Sequence, residues 1–226
     1  MIKNTRRTQR GEPSLTRARI IVEAIALLDS SGESGLTFRA LAAALATGAG
    51  AIYFHVADKN DLLNAACDTI VAAAIGAAGA ADTPQERLRR IGLGLFDAID
   101  AHAWVGAELA RAHGTLPMLR IVESIGQAVR AMAVAPALLW PGTSSLVSYI
   151  LGVAGQNAAN ARYGRQHGID RAAFLGAMAS QWEQLSADDF PFMRSVAGQF
   201  RDHDDRADFL AGIDLILDGI AAQRPR

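Results

Sequence analysis

The sequence predicts an all-α protein, and three observations support this fold class. Apolar residues recur every three or four positions in most segments, for example across residues 16–31, and this spacing places them on one face of a helix. No segment shows the sustained alternation of apolar and polar residues that a half-buried strand would show. Residues that favour helix ends, among them Gly32, Thr37 and the pair Thr83-Pro84, stand between the periodic segments.

The expected helices follow one another with short connections. The first spans residues 16–31 and ends at Gly32, a short second helix begins at Thr37, and a third covers residues 49–56 after a tight turn. Asp58 caps a longer fourth helix, which fades into an Ala- and Gly-rich run up to Ala81. Further helices are expected at 84–101, 103–113, 115–134, 143–166, 170–186, 190–201 and 205–223, with breaks at Gly114-Thr115, Pro136, Pro141-Gly142, Gly168 and Asp188-Asp189.

Length and composition limit the kind of protein. The chain has 226 residues, of which 50% are hydrophobic, enough for one large or two small domains with a substantial core. Cys67 is the single cysteine, so no internal disulfide can form, which fits a reducing cytoplasm. Its apolar neighbours predict a small buried side chain rather than a redox group.

The stretch of residues 36–63, LTFRALAAALATGAGAIYFHVADKNDLL, predicts two short helices joined by a tight turn. The hydroxyl of Thr37 can cap the first helix, and Leu36 stands where it can pack on Leu41. In the second helix Ile52 is expected to point inward. With the helix of residues 16–31 packed behind them, these two helices form a helix-turn-helix module, which lays its second helix in the major groove of DNA.

The N-terminal arm is strongly basic, although the formal net charge of the chain is only −1. Among residues 1–19 Glu12 is the only acidic residue, whereas six residues are basic: Lys3, Arg6, Arg7, Arg10, Arg17 and Arg19. The arm lacks the apolar segment of a signal peptide. Two interpretations stay open: a solvated, disordered tail, or an arm that contacts phosphates or a minor groove.

The motif residues resemble a known family. The run Gly35-Leu36-Thr37-x-Arg39-x-Leu41-Ala42, followed by Ile52-Tyr53-x-His55-Val56-x-x-Lys59-x-x-Leu62-Leu63, resembles the tetracycline repressor (TetR) family of bacterial transcription regulators. The resemblance implies that Arg39 touches a base edge or a phosphate and that Lys59 holds a phosphate. The full set of implied DNA contacts is Thr37, Arg39, Thr47, Ala49, Ala51, Tyr53, His55 and Lys59.

The start of the second motif helix departs from the family pattern. Members often carry polar, base-reading side chains there, whereas this chain has Gly48-Ala49-Gly50-Ala51. These residues cannot form bidentate hydrogen bonds with bases, although Ala can contact a thymine methyl group and a bare backbone can approach closely. Readout is therefore expected to rest on Arg39, Thr47, Tyr53 and the shape of the DNA.

Two later helices are expected to form a dimer interface. Ser148, Gly152, Gly155 and Ala159 form one stripe of small residues. The run Phe209-Leu210-Ala211-Gly212-Ile213-Asp214-Leu215-Ile216-Leu217-Asp218-Gly219-Ile220 resembles the closing helix of the tetracycline repressor's regulatory domain. In that family the two corresponding helices pair with their twofold mates in a four-helix bundle, and here the last helix would offer Phe209, Ile213, Ile216, Leu217 and Ile220.

The uncharged run from Ala131 to Ala161 is not expected to cross a membrane. Pro136 and Pro141 interrupt it, and Ser144, Ser145, Ser148, Gln156, Asn157 and Asn160 lie along it. No span of ~20 predominantly apolar residues remains, and a buried helix explains the run better.

Motifs of catalysis and metal binding are missing from the sequence. Neither lysine, Lys3 or Lys59, follows a glycine, which excludes a phosphate-binding P-loop, and Gly92-x-Gly94 lacks the third glycine of a dinucleotide fingerprint. The five histidines and Cys67 show no metal-ligand spacing, and no serine lies in a nucleophile elbow. We therefore expect neither an enzyme nor a metal or cofactor, although distant residues could still assemble a site.

Scattered polar and aromatic side chains on the middle helices suit a mostly apolar ligand pocket with a few polar anchors. Taken singly, each fits ordinary core or surface placement better than a place in a pocket. The resemblance makes tetracycline itself an unexpected ligand, because Ile75 stands where the tetracycline repressor has a histidine. The candidate pocket residues are Phe96, His102, Trp104, Glu108, His113, Met118, Tyr149, Gln156, Asn157, Met178 and Trp182.

These features together predict a helix-turn-helix DNA-binding domain at residues 1–60 and a helical-bundle regulatory and dimerisation domain at 61–226. The expected protein is a cytoplasmic homodimeric repressor that binds a palindromic double-stranded DNA operator and is released by a small molecule. The ligand would favour a dimer whose recognition helices no longer sit one DNA turn, about 34–36 Å, apart. Two alternatives remain: an activator or ligand-insensitive regulator of this fold, and a helical ligand-binding protein or enzyme whose helix-turn-helix is vestigial.

Overall fold

The chain is described here by a computed structural model, which covers residues 14–111 and 114–223. The described residues contain no β-strand, and the all-α prediction is confirmed. They form two compact units, the first ending at Ala66 and the second beginning at Cys67. The N-terminal arm of residues 1–13 and His113 lie outside the described residues. The helices of the described segments are α1 (Arg17–Gly35), α2 (Phe38–Ala44), α3 (Ala49–Tyr53), α4 (Lys59–Ala77), α5 (Pro84–Ala101), α6 (Ala103–Arg111), α7 (Leu116–Ala131), α8 (Pro136–His167), α9 (Arg171–Glu183), α10 (Pro191–Arg201) and α11 (Asp205–Ala222).

In the first unit, α1 begins and turns where the sequence predicts. Thr16 caps the helix, because its hydroxyl oxygen accepts the amide of Arg19 at 3.3 Å. Its apolar stripe, Ile20, Ala24 and Leu28, is buried. At Gly32 the backbone leaves helical geometry with φ of 66°, a region that glycine enters without a steric penalty, and the chain turns towards α2.

The two motif helices are fixed by local hydrogen bonds. The hydroxyl oxygen of Thr37 accepts the amide of Ala40 at 3.0 Å, which caps α2 as predicted. The turn into α3 places Ala46 in the left-handed region with φ of 50°. The third helix was expected to reach Val56 but ends at Tyr53. The chain turns there because Asp58 must reach the start of α4, where its carboxylate accepts the amide of Asp61 at 2.8 Å.

The core of the second unit is built from α5, α6, α7, α8 and α11, with α5 and α8 in the most extensive contact. Thr83 caps α5 by accepting the amide of Glu86 at 3.1 Å, as predicted. The buried face of α5 carries Leu88, Ile91, Leu95 and Ile99 at helical spacing, so this helix crosses the middle of the bundle.

Helix α8 begins at Pro136, seven residues before the predicted start at 143. A break does separate α7 from α8 just before Pro136, but the expected break at Pro141-Gly142 was wrong. Pro136 occupies the first helical turn, where its missing N–H has no partner to lose. Pro141 removes one further backbone hydrogen bond, close to the exposed N-terminal end of the helix. The helix therefore runs on to His167 and ends at Gly168, whose φ is 61°.

By length and composition, α8 is the one helix of the described segments that could cross a membrane. The prolines do not interrupt it, contrary to our expectation. A single such helix is weak evidence, because one side of α8 packs inside the protein through buried Leu146, Ile150 and Ala154. The opposite side exposes Ser145 and Gln156, among other polar groups, to water.

Helices α9 and α10 form a hairpin and pack chiefly against each other. The guanidinium of Arg194 on α10 donates hydrogen bonds to the carbonyl oxygens of Glu183 and Leu185 at the end of α9. These bonds satisfy carbonyls that a helix end leaves without partners, and they fix the connection in which Asp188 lies.

Candidate nucleic-acid interface and candidate ligand site

The α2 and α3 helices are joined on their outer side by two aromatic rings. The rings of Phe38 and Tyr53 stack with centroids 4.4 Å apart and planes 9° from parallel. Tyr53 is still 56% exposed. Its phenol edge therefore belongs to a surface that both helices share.

The eight residues implied as DNA contacts are all exposed or half-buried in the described structure. Arg39 is exposed and forms no hydrogen bond or ion pair with other described residues, so its guanidinium is available to a partner. Gly48 and Gly50 are exposed, and a Cβ built on either one would meet no atom within 4 Å. Packing within the protein therefore does not require glycine at these positions.

Phe54, which was not predicted as a site residue, is 90% exposed immediately after α3. Phenylalanine side chains are more often buried than exposed to this degree. Its position between the outward-facing Tyr53 and His55 could have indicated it.

Lys59, which was expected to hold a phosphate, also forms a hydrogen bond within the first unit. Its ammonium donates a hydrogen bond to the carbonyl oxygen of Glu33 at 2.7 Å, in a partly buried position. The amine therefore ties the end of α1 to the start of α4. An ammonium carries three N–H donors, so this bond leaves two of them for a phosphate.

A second interaction in the first unit also links α1 to the first turn of α4. Arg17 donates to both carboxylate oxygens of Asp61, at 2.7 and 3.2 Å, and to the carbonyl oxygen of His55. The hydrogen bonds from Arg17 and from the Ala57 amide lower the pKa of the Asp61 carboxyl. The charged pair anchors the backbone next to His55, one of the implied DNA contacts.

Each of two cavities in the second unit includes one of the predicted ligand residues. A cavity of about 330 Å³ lies between α4 and α5 and includes only His102 from that set. A second cavity, of about 510 Å³, involves α9, α10 and α11 and includes only Trp182. His113 lies outside the described residues.

Several of the remaining candidates contact other residues of the protein, and their role in ligand binding stays a prediction. Phe96 is buried and stacks on Phe209 with centroids 4.6 Å apart. The Tyr149 hydroxyl donates to the carbonyl oxygen of Phe209 at 3.1 Å, and the Asn157 amide donates to Asp100 at 3.3 Å. Gln156 is exposed on the outer side of α8, and the half-buried Trp104, Met118 and Met178 line neither cavity.

Glu108, one of the candidate pocket residues, has a charged partner within the protein. It is 7% exposed and accepts a hydrogen bond from Arg111 at 2.8 Å. Cys67 is fully buried, and burial together with the charges of Glu108 and Asp68 raises the pKa of its thiol to about 12. A thiol in this state is inert, in agreement with the predicted structural role.

The residues expected at the dimer interface fall into two groups. On α8, Gly152 and Ala159 are exposed and Gly155 is half-buried. On α11, by contrast, the buried side chains belong to the core of one protomer, because they face α5 and α8. The four residues that this corrects are Phe209, Ile213, Leu217 and Ile220, whereas Ile216 is half-buried.

The outer side of α11 is formed by other residues. Ala211 and Gly219 are exposed, and Leu215 is 75% exposed. They follow one another at intervals of four residues, which places them on one face of the helix. The exposed stripe lies two residues further along α11 than the stripe of Phe209, Ile213 and Leu217 that the sequence predicted.

Two family models match this chain. The model described as bacterial regulatory proteins, tetR family, matches residues 20–66. The model described as tetracyclin repressor-like, C-terminal domain, matches residues 78–224. The chain therefore belongs to the TetR family of bacterial regulatory proteins, and it is a DNA-binding transcriptional regulator.

Individual relatives extend over nearly the whole chain. The HTH-type transcriptional repressor DrrR1 of Streptomyces coeruleorubidus is 27% identical over 95% of this chain and 81% of its own length. The structure of the transcriptional regulator SCO7222, a TetR from Streptomyces coelicolor, is 49% identical, covers 94% of this chain and 100% of its own, and has a TM-score of 0.86. The TetR family protein ActR of the same organism, in complex with actinorhodin, is 22% identical, covers 95% and 100%, and has a TM-score of 0.74; at that identity the likeness concerns the fold.

Proposed function

We propose that this chain is a homodimeric repressor that binds a palindromic double-stranded DNA operator through the outer surface of α2 and α3. The observation that carries the proposal is the combination of an exposed Arg39 without protein partners and an open α3 start at Gly48 and Gly50. A backbone without side chains can approach the floor of a groove closely. Arg39, Thr47 and Tyr53, which are exposed or half-buried, would supply the side-chain contacts.

Lys59 has a positioning role in this proposal. Its bond to the Glu33 carbonyl fixes the side chain beside the start of α4. A helix N-terminus attracts phosphate, because its free N–H groups carry partial positive charge. Lys59 would therefore add to the affinity for every DNA sequence alike, whereas Arg39 would add to the preference for one sequence.

The test compares three arginine and lysine variants of the full chain by fluorescence anisotropy on DNA that flanks its own gene. Arg39→Ala should weaken specific binding by about 10- to 100-fold and random-sequence binding much less. Lys59→Ala should weaken both in proportion and lower the salt slope by about 1 per protomer. Arg130→Ala removes an exposed charge at the end of α7 in the second unit and serves as the matched control.

Equal losses for Arg39→Ala and Arg130→Ala on the specific DNA would contradict the assigned surface. Absence of salt-dependent binding by the native chain would favour the alternative of a vestigial motif. An operator that sits upstream of an activated gene would leave the surface in place and change only the sign of regulation.

We propose further that a small molecule controls DNA binding through the cavity between α4 and α5. Its walls are small and apolar, with Ile70, Ala74, Gly94 and Ala98 among them, and His102 at one end offers a polar group. Helix α4 continues from this cavity back to Lys59. A ligand that prefers one position of α4 would shift the population towards it, because differential affinity is what moves such an equilibrium.

Complexes such as that of ActR with actinorhodin support this part of the proposal for the family fold. The test is release of labelled operator by a panel of planar aromatic compounds that begins with actinorhodin. A compound that releases operator from the native chain should fail with Ala98→Phe, which fills the cavity, and should still act on Ala110→Phe, whose position on α6 is exposed. Equal release from both variants would place the effector elsewhere.

For the dimer, we propose the outer stripes of α8 and α11, formed by Gly152 and Ala159 on one helix and by Ala211, Leu215 and Gly219 on the other. Small residues let helices approach closely, and an exposed leucine among them gains free energy when it is covered.

We also propose that the protein acts in the cytoplasm, without a catalytic, metal or cofactor function. The described residues hold no group of three or more His, Cys, Asp or Glu side chains that could bind a metal.

A further inference from the structure

The larger cavity of the second unit lies away from the proposed effector cavity. Its volume is about 510 Å³, within the range of about 300–1,000 Å³ that small-molecule sites occupy. One wall comes from α10 through Phe192, Val196 and Phe200, and Trp182 of α9 closes one side. No residue of this cavity also lines the cavity between α4 and α5.

Aromatic rings form a continuous wall here. Trp182 lies against Phe200 with ring centroids 4.1 Å apart, and Phe200 is followed by His203 at 6.0 Å with planes 15° from parallel. Phe192 is 70% exposed at the cavity. The faces of Trp and Phe rings carry partial negative charge and attract cations.

The polar side of the cavity is acidic. Asp202, Asp204 and Asp208 line it, and no lysine or arginine is among its described lining residues. Two backbone amides at the start of α11 donate to the Asp204 carboxylate and lower its pKa, so this group stays ionised at neutral pH. Asp202 forms no side-chain hydrogen bond or ion pair with other described residues.

His203 is the one lining residue that can carry positive charge, and carboxylates already surround it. Its Nε2 lies 2.9 Å from Asp205, and its Nδ1 contacts Asp208. Arg171 also pairs with Asp205, at 2.7 Å, outside the lining. The imidazole is therefore occupied by Asp205 and Asp208. His203 and Arg171 also lie close enough to Asp204 to lower the pKa of its carboxyl, so Asp202 is the lining carboxylate whose charge no described residue offsets.

We propose that this cavity binds an amphipathic organic cation, whose apolar surface packs on Trp182, Phe192 and Phe200 and whose positive charge lies beside Asp202. The three carboxylates would repel an anion, and a neutral apolar compound would gain no electrostatic attraction from them. The cavity shares no residue with the proposed DNA surface or with the α4–α5 cavity, so its test needs no DNA.

The test is isothermal titration calorimetry of the full chain with tetraphenylphosphonium, and with tetraphenylborate, which has nearly the same shape and the opposite charge. The cation should bind and the anion should not. Phe192→Ala and Asp202→Asn should each weaken cation binding about threefold or more, as expected for one aromatic face and one exposed charge. Both positions are exposed, so the fold should tolerate either change.

Matched controls lie in the connection between α9 and α10. Phe190→Ala and Asp188→Asn remove an exposed ring and an exposed charge from residues outside the cavity lining, and they should leave the affinity unchanged. Circular dichroism spectra should be the same for all four variants. The proposal is overturned if the cation does not bind, if both ions bind equally, or if Phe192→Ala and Asp202→Asn bind the cation as tightly as their controls.

Discussion

Arg17, at the start of α1, and Asp61, in the first turn of α4, form an ion pair within the DNA-binding unit. The guanidinium donates two hydrogen bonds, of 2.7 and 3.2 Å, to the two carboxylate oxygens. The Ala57 amide donates a further bond of 3.0 Å to the same carboxylate. The connection between α3 and α4 is thus held to α1 by charged groups, and its geometry depends on the ionisation of Asp61.

This dependence gives a test by pH. The pKa of Asp61 is lowered by Arg17 and by the Ala57 amide, so its stabilising contribution is present above the unfolded pKa of about 3.9 and is lost as the pH falls through the folded value. The pair is partly exposed, and we expect it to contribute about 0.5–1 kcal/mol. Hydrogen-exchange protection in α1 and α3, corrected for intrinsic rates, should fall below about pH 4 in the native chain.

Asp61→Asn should show weaker protection already at pH 7 and a flatter response to acid. Glu23→Gln, which changes another carboxyl on the same unit, is the control and should follow the native chain. An acid response of Asp61→Asn as steep as the native one would assign the pH dependence to other groups.

The sequence could predict the helix starts because they depend on bonds between near neighbours. Thr37 with Ala40 and Thr83 with Glu86 are three residues apart, so a local pattern contains the whole interaction. The bond between Lys59 and the Glu33 carbonyl joins residues 26 positions apart. No pattern in the sequence indicates that contact, and for Lys59 only a phosphate contact was expected.

A related limit explains the error on α11. Helical periodicity identified one apolar stripe, but it could not say whether that stripe faces the same chain or a second copy. The protomer buries Ile213 and Leu217 of this stripe. Leu215 and its small neighbours remain on the outside. Composition likewise does not place helices around a cavity, so the sequence could name candidate pocket residues but could not group them into one site.

The contact of Tyr149 with Gly212 gives a second prediction, about α8 and α11. A Cβ at position 212 would lie 1.9 Å from the Tyr149 hydroxyl oxygen and 2.4 Å from its Cζ, and the hydroxyl is bound to the Phe209 carbonyl. Gly212→Ala should therefore cost about 1–3 kcal/mol by overpacking, measured by chemical denaturation. In a Tyr149→Ala background the same substitution should cost much less, and additive effects would show that the two residues do not determine this spacing.

The third prediction concerns the proposed dimer. Leu215 is 75% exposed in one protomer, so Leu215→Glu should leave the monomer fold intact and bury an unpaired charge only when α11 meets a second copy. We expect sedimentation velocity to show monomer for this variant and dimer for the native chain. Leu119→Glu, on α7 with a leucine that is 55% exposed, should stay dimeric; a dimer for both variants would exclude the outer stripe of α11.

The most direct test of the central claim is selection of DNA by the purified full chain from a pool of random-sequence duplexes, followed by sequencing of the bound fraction. A dimer that presents two α2–α3 surfaces should enrich a twofold-symmetric sequence whose half-sites lie about 10 base pairs apart or a multiple of that distance. Enrichment should fall by about 10- to 100-fold with Arg39→Ala and persist unchanged with Arg130→Ala. A bound pool that stays random for the native chain, or a symmetric sequence that Arg39→Ala selects equally well, would contradict the account.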